Sequence, residues 1–118
     1  MGLTEVTLKT RSIDKPEKVA TGNFLVDSGA AYTVLPQQMV KKLDLKPSFE
    51  KEFVLADGTM VKRKIGSAII NYEGIEIASP VVLGEKEDAA LLGVITLEGM
   101  GLVLNPFERK LHPARLLL

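Results

Sequence analysis

Cysteine and tryptophan are absent from the 118 residues, and His112 is the only histidine. Without thiols, and with a single imidazole, one chain cannot assemble a zinc site from the usual nitrogen and sulfur ligands, nor a disulfide framework. Charge of one sign is missing too: 15 Lys and Arg balance 15 Asp and Glu. These charges are spread along the chain, so no field draws the protein onto nucleic acid or an anionic membrane. No stretch approaches ~18 continuous apolar residues, and the start MGLTEVTLK has no apolar core behind a basic end. Neither a membrane span nor a signal peptide is expected, and the expected location is the cytoplasm. Glycine-rich phosphate loops of the GxxxxGK or GxGxxG kind do not occur. Nothing therefore calls for a metal, a cofactor, a nucleic acid or a membrane.

What is present is an ordinary globular composition, 46% apolar and 25% charged, with 10 Gly and 6 Pro. A chain this long buries roughly two-thirds of its unfolded surface without covalent staples, so residues 1–118 are expected to form one domain. Short apolar runs separated by turn residues favour strands over helices. Val6 and Leu8 mark a first strand, Asp14-Lys15-Pro16-Glu17 a turn, and 19–26 a second strand that breaks at Asp27-Ser28-Gly29-Ala30. After Thr33-Val34-Leu35, Pro36 suits the first turn of a helix carrying Met39, Val40 and Leu43, which closes before Pro47. Asp57-Gly58, between the strand-like runs 53–55 and 59–61, predicts a hairpin whose two turn positions both have positive φ. Two further strands, 65–72 and 75–83, surround Glu73-Gly74, and residues 85–88 form a charged loop. A helix over 94–98 is expected to stop at Gly99, with a strand over 102–104 and a turn at 105–108 leading into the tail. Leu25-Val26 and Leu91-Leu92 each precede a glycine-containing turn, a weak echo consistent with two related half-domains.

Two residues invite chemistry. Ser28 lacks the GxSxG elbow of serine hydrolases, and His112, the sole candidate base, lies in a Pro-flanked tail. Asp27 is more informative, because it follows Phe24-Leu25-Val26 where a strand leaves the core. A carboxylate there is partly desolvated, and the small residues after it leave room for a substrate; alternatively its oxygens merely cap the turn.

The run from Phe24 to Pro36 (FLVDSGAAYTVLP) resembles the active-site loop of retropepsin-like aspartic peptidases, in which apolar residues precede Asp, Thr or Ser, Gly and Ala, and an apolar strand follows. The Asp57-Gly58 hairpin resembles that family's flap. Leu91-Leu92-Gly93 resembles its apolar-apolar-Gly element, with 102–106 as the strand beyond. The likeness covers about residues 3–112 and is closest to small free-standing microbial members. It implies a mostly β, closed β-barrel of the acid protease fold with one or two short helices, forming one half of a homodimer.

Metal-free hydrolysis of a peptide without a covalent intermediate needs one group to take a proton from water and another to give one to the carbonyl oxygen. Only one Asp-Ser/Thr-Gly stands in the sequence, so the second carboxyl must come from another copy across a two-fold axis. Like charges a few ångströms apart do not ionise together, so such a pair holds one proton and supplies base and acid at once; the aspartic-protease dyad is the general example of this principle. The resemblance implies that Asp27 activates water, that the Ser28 hydroxyl bonds across the dimer, and that the Gly29 N–H holds the carboxylate beside Ala30. It also implies that Ala56, Asp57, Gly58 and Thr59 close over the substrate.

The chain departs from the retroviral pattern at Ala31 and Tyr32, where acidic residues usually hold the substrate backbone, and its hairpin tip has less glycine. Lys62-Arg63-Lys64 on the return strand also fits a plain solvated edge protected by charge. Leu116-Leu117-Leu118 is either an apolar end awaiting a partner or a segment packed on its own core. The expected function is an aspartic endopeptidase acting on a peptide or protein substrate. The alternatives are a non-catalytic dimeric peptide-binding or regulatory module of the same fold, and a purely structural dimer domain.

Overall fold

The computed structural model describes residues 3–118. Along the chain run β1 (Glu5–Arg11), β2 (Val19–Val26), β3 (Thr33–Leu35), α1 (Gln37–Leu43), β4 (Phe49–Val54), β5 (Met60–Tyr72) and β6 (Ile75–Leu83). The short β7 (Leu91–Leu92), α2 (Val94–Met100), β8 (Leu102–Asn105) and β9 (Lys110–Pro113) complete it. The protein is mostly β with two short helices, as the brief apolar runs predict.

Seven strands form one sheet in the order β1-β2-β7-β3-β6-β5-β4, and β1 pairs additionally with β5, residues 9–11 against 69–71. The β2–β7 and β3–β6 pairs are parallel, and the others antiparallel. Side chains alternate across each strand, which sends Leu8, Phe24, Ile70, Val81 and Leu92 into one core. In α1 the i, i+4 pair Met39 and Leu43 faces the same core. Each large apolar side chain buried in this way contributes about 1.5–3 kcal/mol.

Several boundaries differ from expectation, each for a local reason. The strand pieces expected over 59–61 and 65–72 are one continuous strand, β5, whose first half pairs with β4 and whose second half pairs with β1. At the hairpin tip the Leu55 N–H donates to Thr59 O (2.8 Å) and the Gly58 N–H to Leu55 O (2.9 Å). Only Gly58 there has positive φ, at 87°. This is the longer hairpin loop in which one left-handed glycine suffices, not the two-residue turn. Asp57 keeps a negative φ because its Oδ1 accepts the Thr59 N–H (2.9 Å), which tightens the turn through the side chain.

The two-residue turn with both φ positive lies at Glu73 (47°) and Gly74 (89°), between the paired Tyr72 and Ile75. Gly99 does not stop α2. It lies inside the helix, and Gly101, at φ 69°, provides the left-handed end. Helix α1 ends at Asp44, also left-handed at φ 52°, ahead of Pro47. The turn expected at 105–108 lies at 106–109, because Asn105 still pairs with Lys110, and the tail returns as β9, antiparallel to β8. Leu116, Leu117 and Leu118 do not pack on the core; all three are exposed.

Candidate active site

Strand β2 carries Phe24 and Val26 into the core and then hands the chain to Asp27, which is half-buried. The Asp27 N–H donates to Leu92 O (3.0 Å), extending the parallel β2–β7 ladder past the last apolar residue. Leu25 and Leu91, and Val26 and Leu92, are register partners, so the two apolar pairs that echo each other in the sequence lie side by side. The chain then turns, with the Ala30 N–H donating to Asp27 O (3.1 Å). Inside that turn the Gly29 N–H donates to Asp27 Oδ1 at 2.8 Å. A Cβ on Gly29 would stand 3.2 Å from the same oxygen, so only a bare backbone approaches the carboxylate freely. Ser28 is exposed, and its hydroxyl has no hydrogen-bond partner among the described residues. One Asp27 oxygen is thus fixed by the backbone on an exposed turn.

The back of the turn is fastened to α2. A helix begins with N–H groups that have no partner within it. In α2, Val94 donates to Ala30 O (2.8 Å) and Ile95 to Ala31 O (2.9 Å), so the helix start and the loop satisfy one another. Ahead of the helix, Gly93 lies against the loop backbone: a Cβ there would fall 2.4 Å from the carbonyl carbon and oxygen of Tyr32.

Beneath this junction lies a buried chain of hydroxyls that sequence reading missed. The Gly93 N–H donates to Thr33 Oγ1 (3.0 Å), Thr33 and Thr96 hydroxyls meet at 2.6 Å, and those of Thr96 and Ser79 at 2.9 Å. Ser79 donates to Pro80 O (3.1 Å). Each hydroxyl has one proton to give, so the last bond orders the rest: Thr33 donates to Thr96, and Thr96 to Ser79. The chain links β3, α2 and β6, and its only sequence trace is small hydroxyl residues at inward positions of apolar elements.

The other candidate residues, Ala56, Asp57, Gly58 and Thr59, form the exposed tip of the β4–β5 hairpin. Hydrogen bonds from Thr59 hold the Asp57 carboxyl below the usual carboxylate range, so this acid is committed to its own turn. A surface hollow of about 450 Å³ lined by Pro36, Gln37, Gln38, Lys41, Lys86 and Asp88 contains none of the Asp27 turn.

A β chain with an Asp-Ser-Gly turn directly after its second strand, and a parallel strand and a helix start behind that turn, is consistent with the retropepsin-like aspartic peptidase class. Residues 17–99 match the family described as gag-polyprotein putative aspartyl protease, and the chain belongs to that family. The matched span holds the Asp27 turn, the hairpin and the start of α2. No curated protein matches the chain.

Proposed function

We propose that the protein is an aspartic endopeptidase that works as a homodimer, each chain supplying one Asp27. The observation that carries this reading is the Asp27 turn itself. Its carboxylate is held by the Gly29 N–H on an exposed surface, and the chain has no second Asp-Ser/Thr-Gly turn. In the dimer the two carboxyls hold one water between them. The ionised carboxylate takes a proton from that water, whose oxygen attacks the peptide carbonyl, while the protonated partner gives its proton to the carbonyl oxygen. When the tetrahedral intermediate collapses, the proton taken from water passes to the departing amine, one hydroxyl of the intermediate returns its proton to the partner carboxylate, and the C–N bond breaks to leave a carboxylic acid and an amine.

The roles of the remaining residues follow. The free Ser28 hydroxyl reaches across the two-fold axis to join the two turns. Residues 56–59 close over the substrate and exclude water. The return of β5 onto β1 is read as the closed barrel of the acid protease fold, which gives the turns a rigid base. A peptide or protein segment is the substrate, the chemistry needs neither metal nor cofactor, and the site of action is the cytoplasm.

The decisive variant is Asp27→Asn, which keeps the shape of the side chain and removes the proton acceptor. Cleavage of a peptide substrate is expected to fall by about a thousandfold or more, with circular dichroism and dimer mass unchanged. Cleavage surviving in contaminant-free variant protein contradicts the catalytic assignment. A wild type that binds peptides and never cleaves them supports the non-catalytic binding module instead.

A further inference from the structure

The β4–β5 hairpin has two unlike faces. The register sets Glu50 opposite Lys64, Glu52 opposite Lys62 and Val54 opposite Met60, and all six are exposed. The other face carries Phe53 opposite Val61 and Lys51 opposite Arg63, and here Phe53, Val61 and Arg63 are half-buried. Thus Arg63, flanked in sequence by two solvated lysines, turns away from them.

Two of these half-buried residues, Phe53 and Arg63, grip the residue before β3 and the loop before β7. The ring of Phe53 meets the ring of Tyr32 edge to face, with centroids 5.9 Å apart at 81°. Tyr32 is the residue whose main chain lies against Gly93, two positions beyond Ala30. Arg63 makes a two-pronged contact with Asp88, Nε to Oδ2 at 2.6 Å and Nη2 to Oδ1 at 3.0 Å. The paired side chains are only 19% and 22% exposed, so water competes weakly for them. Asp88 also accepts the Glu85 N–H (2.7 Å), which fixes the loop leading to Ala90, and Ala90 O in turn accepts the Leu25 N–H (3.1 Å) one strand position before Val26.

We infer that Phe53 and Arg63 are positioning residues which clasp the hairpin at two points, to Tyr32 and to Asp88. Only residues 54–60 are then left free to close on the substrate. The inference rests on the peptidase reading for what the hairpin does, but the clasp itself is a property of the single chain. It also gives Tyr32 a use in this protein: its aromatic ring ties the segment after the Asp27 turn to the hairpin. Beyond the Phe53–Val61 pair every residue of the hairpin is exposed, which places the flexing point there.

The test uses Phe53→Leu and Arg63→Met, alone and together, with Phe53→Tyr as the variant that keeps the ring. Amide hydrogen exchange on the whole protein is expected to accelerate about three- to tenfold per variant in the β4–β5 pairs, with the β5–β6 pairs at the wild-type rate. KM for a cleaved peptide is expected to rise by a similar factor with kcat within about twofold, and Phe53→Tyr is expected to behave as wild type. Exchange that accelerates equally in β5–β6, or a hairpin that loosens with no change in KM, overturns the inference. Should the wild type cleave no peptide, the peptidase reading fails by itself. The exchange contrast would still decide whether the clasp holds the hairpin.

Discussion

Thr96 has no exposed surface, yet it places a hydroxyl in the middle of a seven-residue helix. A threonine in that setting usually bonds back to its own helix; here it is the middle member of a chain from Gly93 to Pro80. Thr96→Val keeps the shape but leaves the Thr33 donor and the Ser79 acceptor without their partner, at a cost of about 1–3 kcal/mol. Thr96→Ser keeps the hydroxyl and is expected to cost less. Urea midpoints with unchanged slopes measure both, and a Thr96→Val variant as stable as the wild type would show that the hydroxyl chain adds nothing to stability. Asp88 supplies a test by pH. The hydrogen bonds from Arg63 hold its carboxyl below the ordinary range, with Glu85 the other acid near that guanidinium at 3.7 Å. The lowered folded value means that the contribution of Asp88 is complete above about pH 4, its unfolded value, and is lost as pH falls through the folded one. The stability advantage of wild type over Asp88→Asn should therefore shrink below about pH 4. A constant difference from neutral to strongly acidic pH would show that the pair adds nothing to stability.

At the scale of elements, the two hairpin turns make opposite predictions. Gly58 has φ 87°, and no atom lies within 4 Å of the place a Cβ would take, so Gly58→Val costs only backbone strain, about 1–2 kcal/mol, with no clash. Turnover is expected to fall far more than melting temperature, because the strain sits in the tip that is proposed to close over the substrate. Equal proportional losses in both would favour a plain structural edge. Glu73 holds φ 47° without being glycine or asparagine, and Glu73→Asn is expected to raise stability by up to about 1 kcal/mol. A lower denaturation midpoint for that variant would contradict the turn assignment. The same pair shows what the sequence can reveal. Asp57-Gly58 correctly signals a hairpin, but its side-chain bond to Thr59 selects the one-glycine loop, a choice that dipeptide statistics do not carry. Gly99 reads as a stop because glycine disfavours helix, whereas Gly101, with its N–H on Glu98 O, supplies the end. The Asp27 turn is legible because strand, small residues and strand follow in order. The hydroxyl chain and the clasp are not, because Thr33, Ser79 and Thr96 lie far apart in sequence, as do Tyr32 and Phe53, or Arg63 and Asp88.

For the whole molecule the unfinished business lies on the surface. Leu117 and Phe107 are each 93% exposed, and Val103 and Ile95 are partly so. Apolar surface of this kind fits a chain that pairs with a second copy, as the proposed active site requires. The proposal of two chains per active site rests on a count, one Asp-Ser-Gly per sequence, whereas the exposed apolar residues around it come from α2, β8, the turn after β8 and the tail, whose folding no count carries. After β9 the tail passes the end of α2, where the Ala114 N–H donates to Gly101 O (2.6 Å). Removing residues 116–118 is expected to weaken dimerisation while leaving the circular dichroism of the chain unchanged, and an unchanged dissociation constant would place the interface elsewhere. The most direct test of the central claim mixes wild type with an equal amount of Asp27→Asn chains, allows subunits to exchange, and measures cleavage per wild-type chain. If each active site takes one Asp27 from each of two chains, half of the wild-type chains pair with inert ones and activity per wild-type chain falls to about half. Activity per wild-type chain that stays constant at every mixing ratio, with exchange verified, would mean that one chain carries the whole reaction.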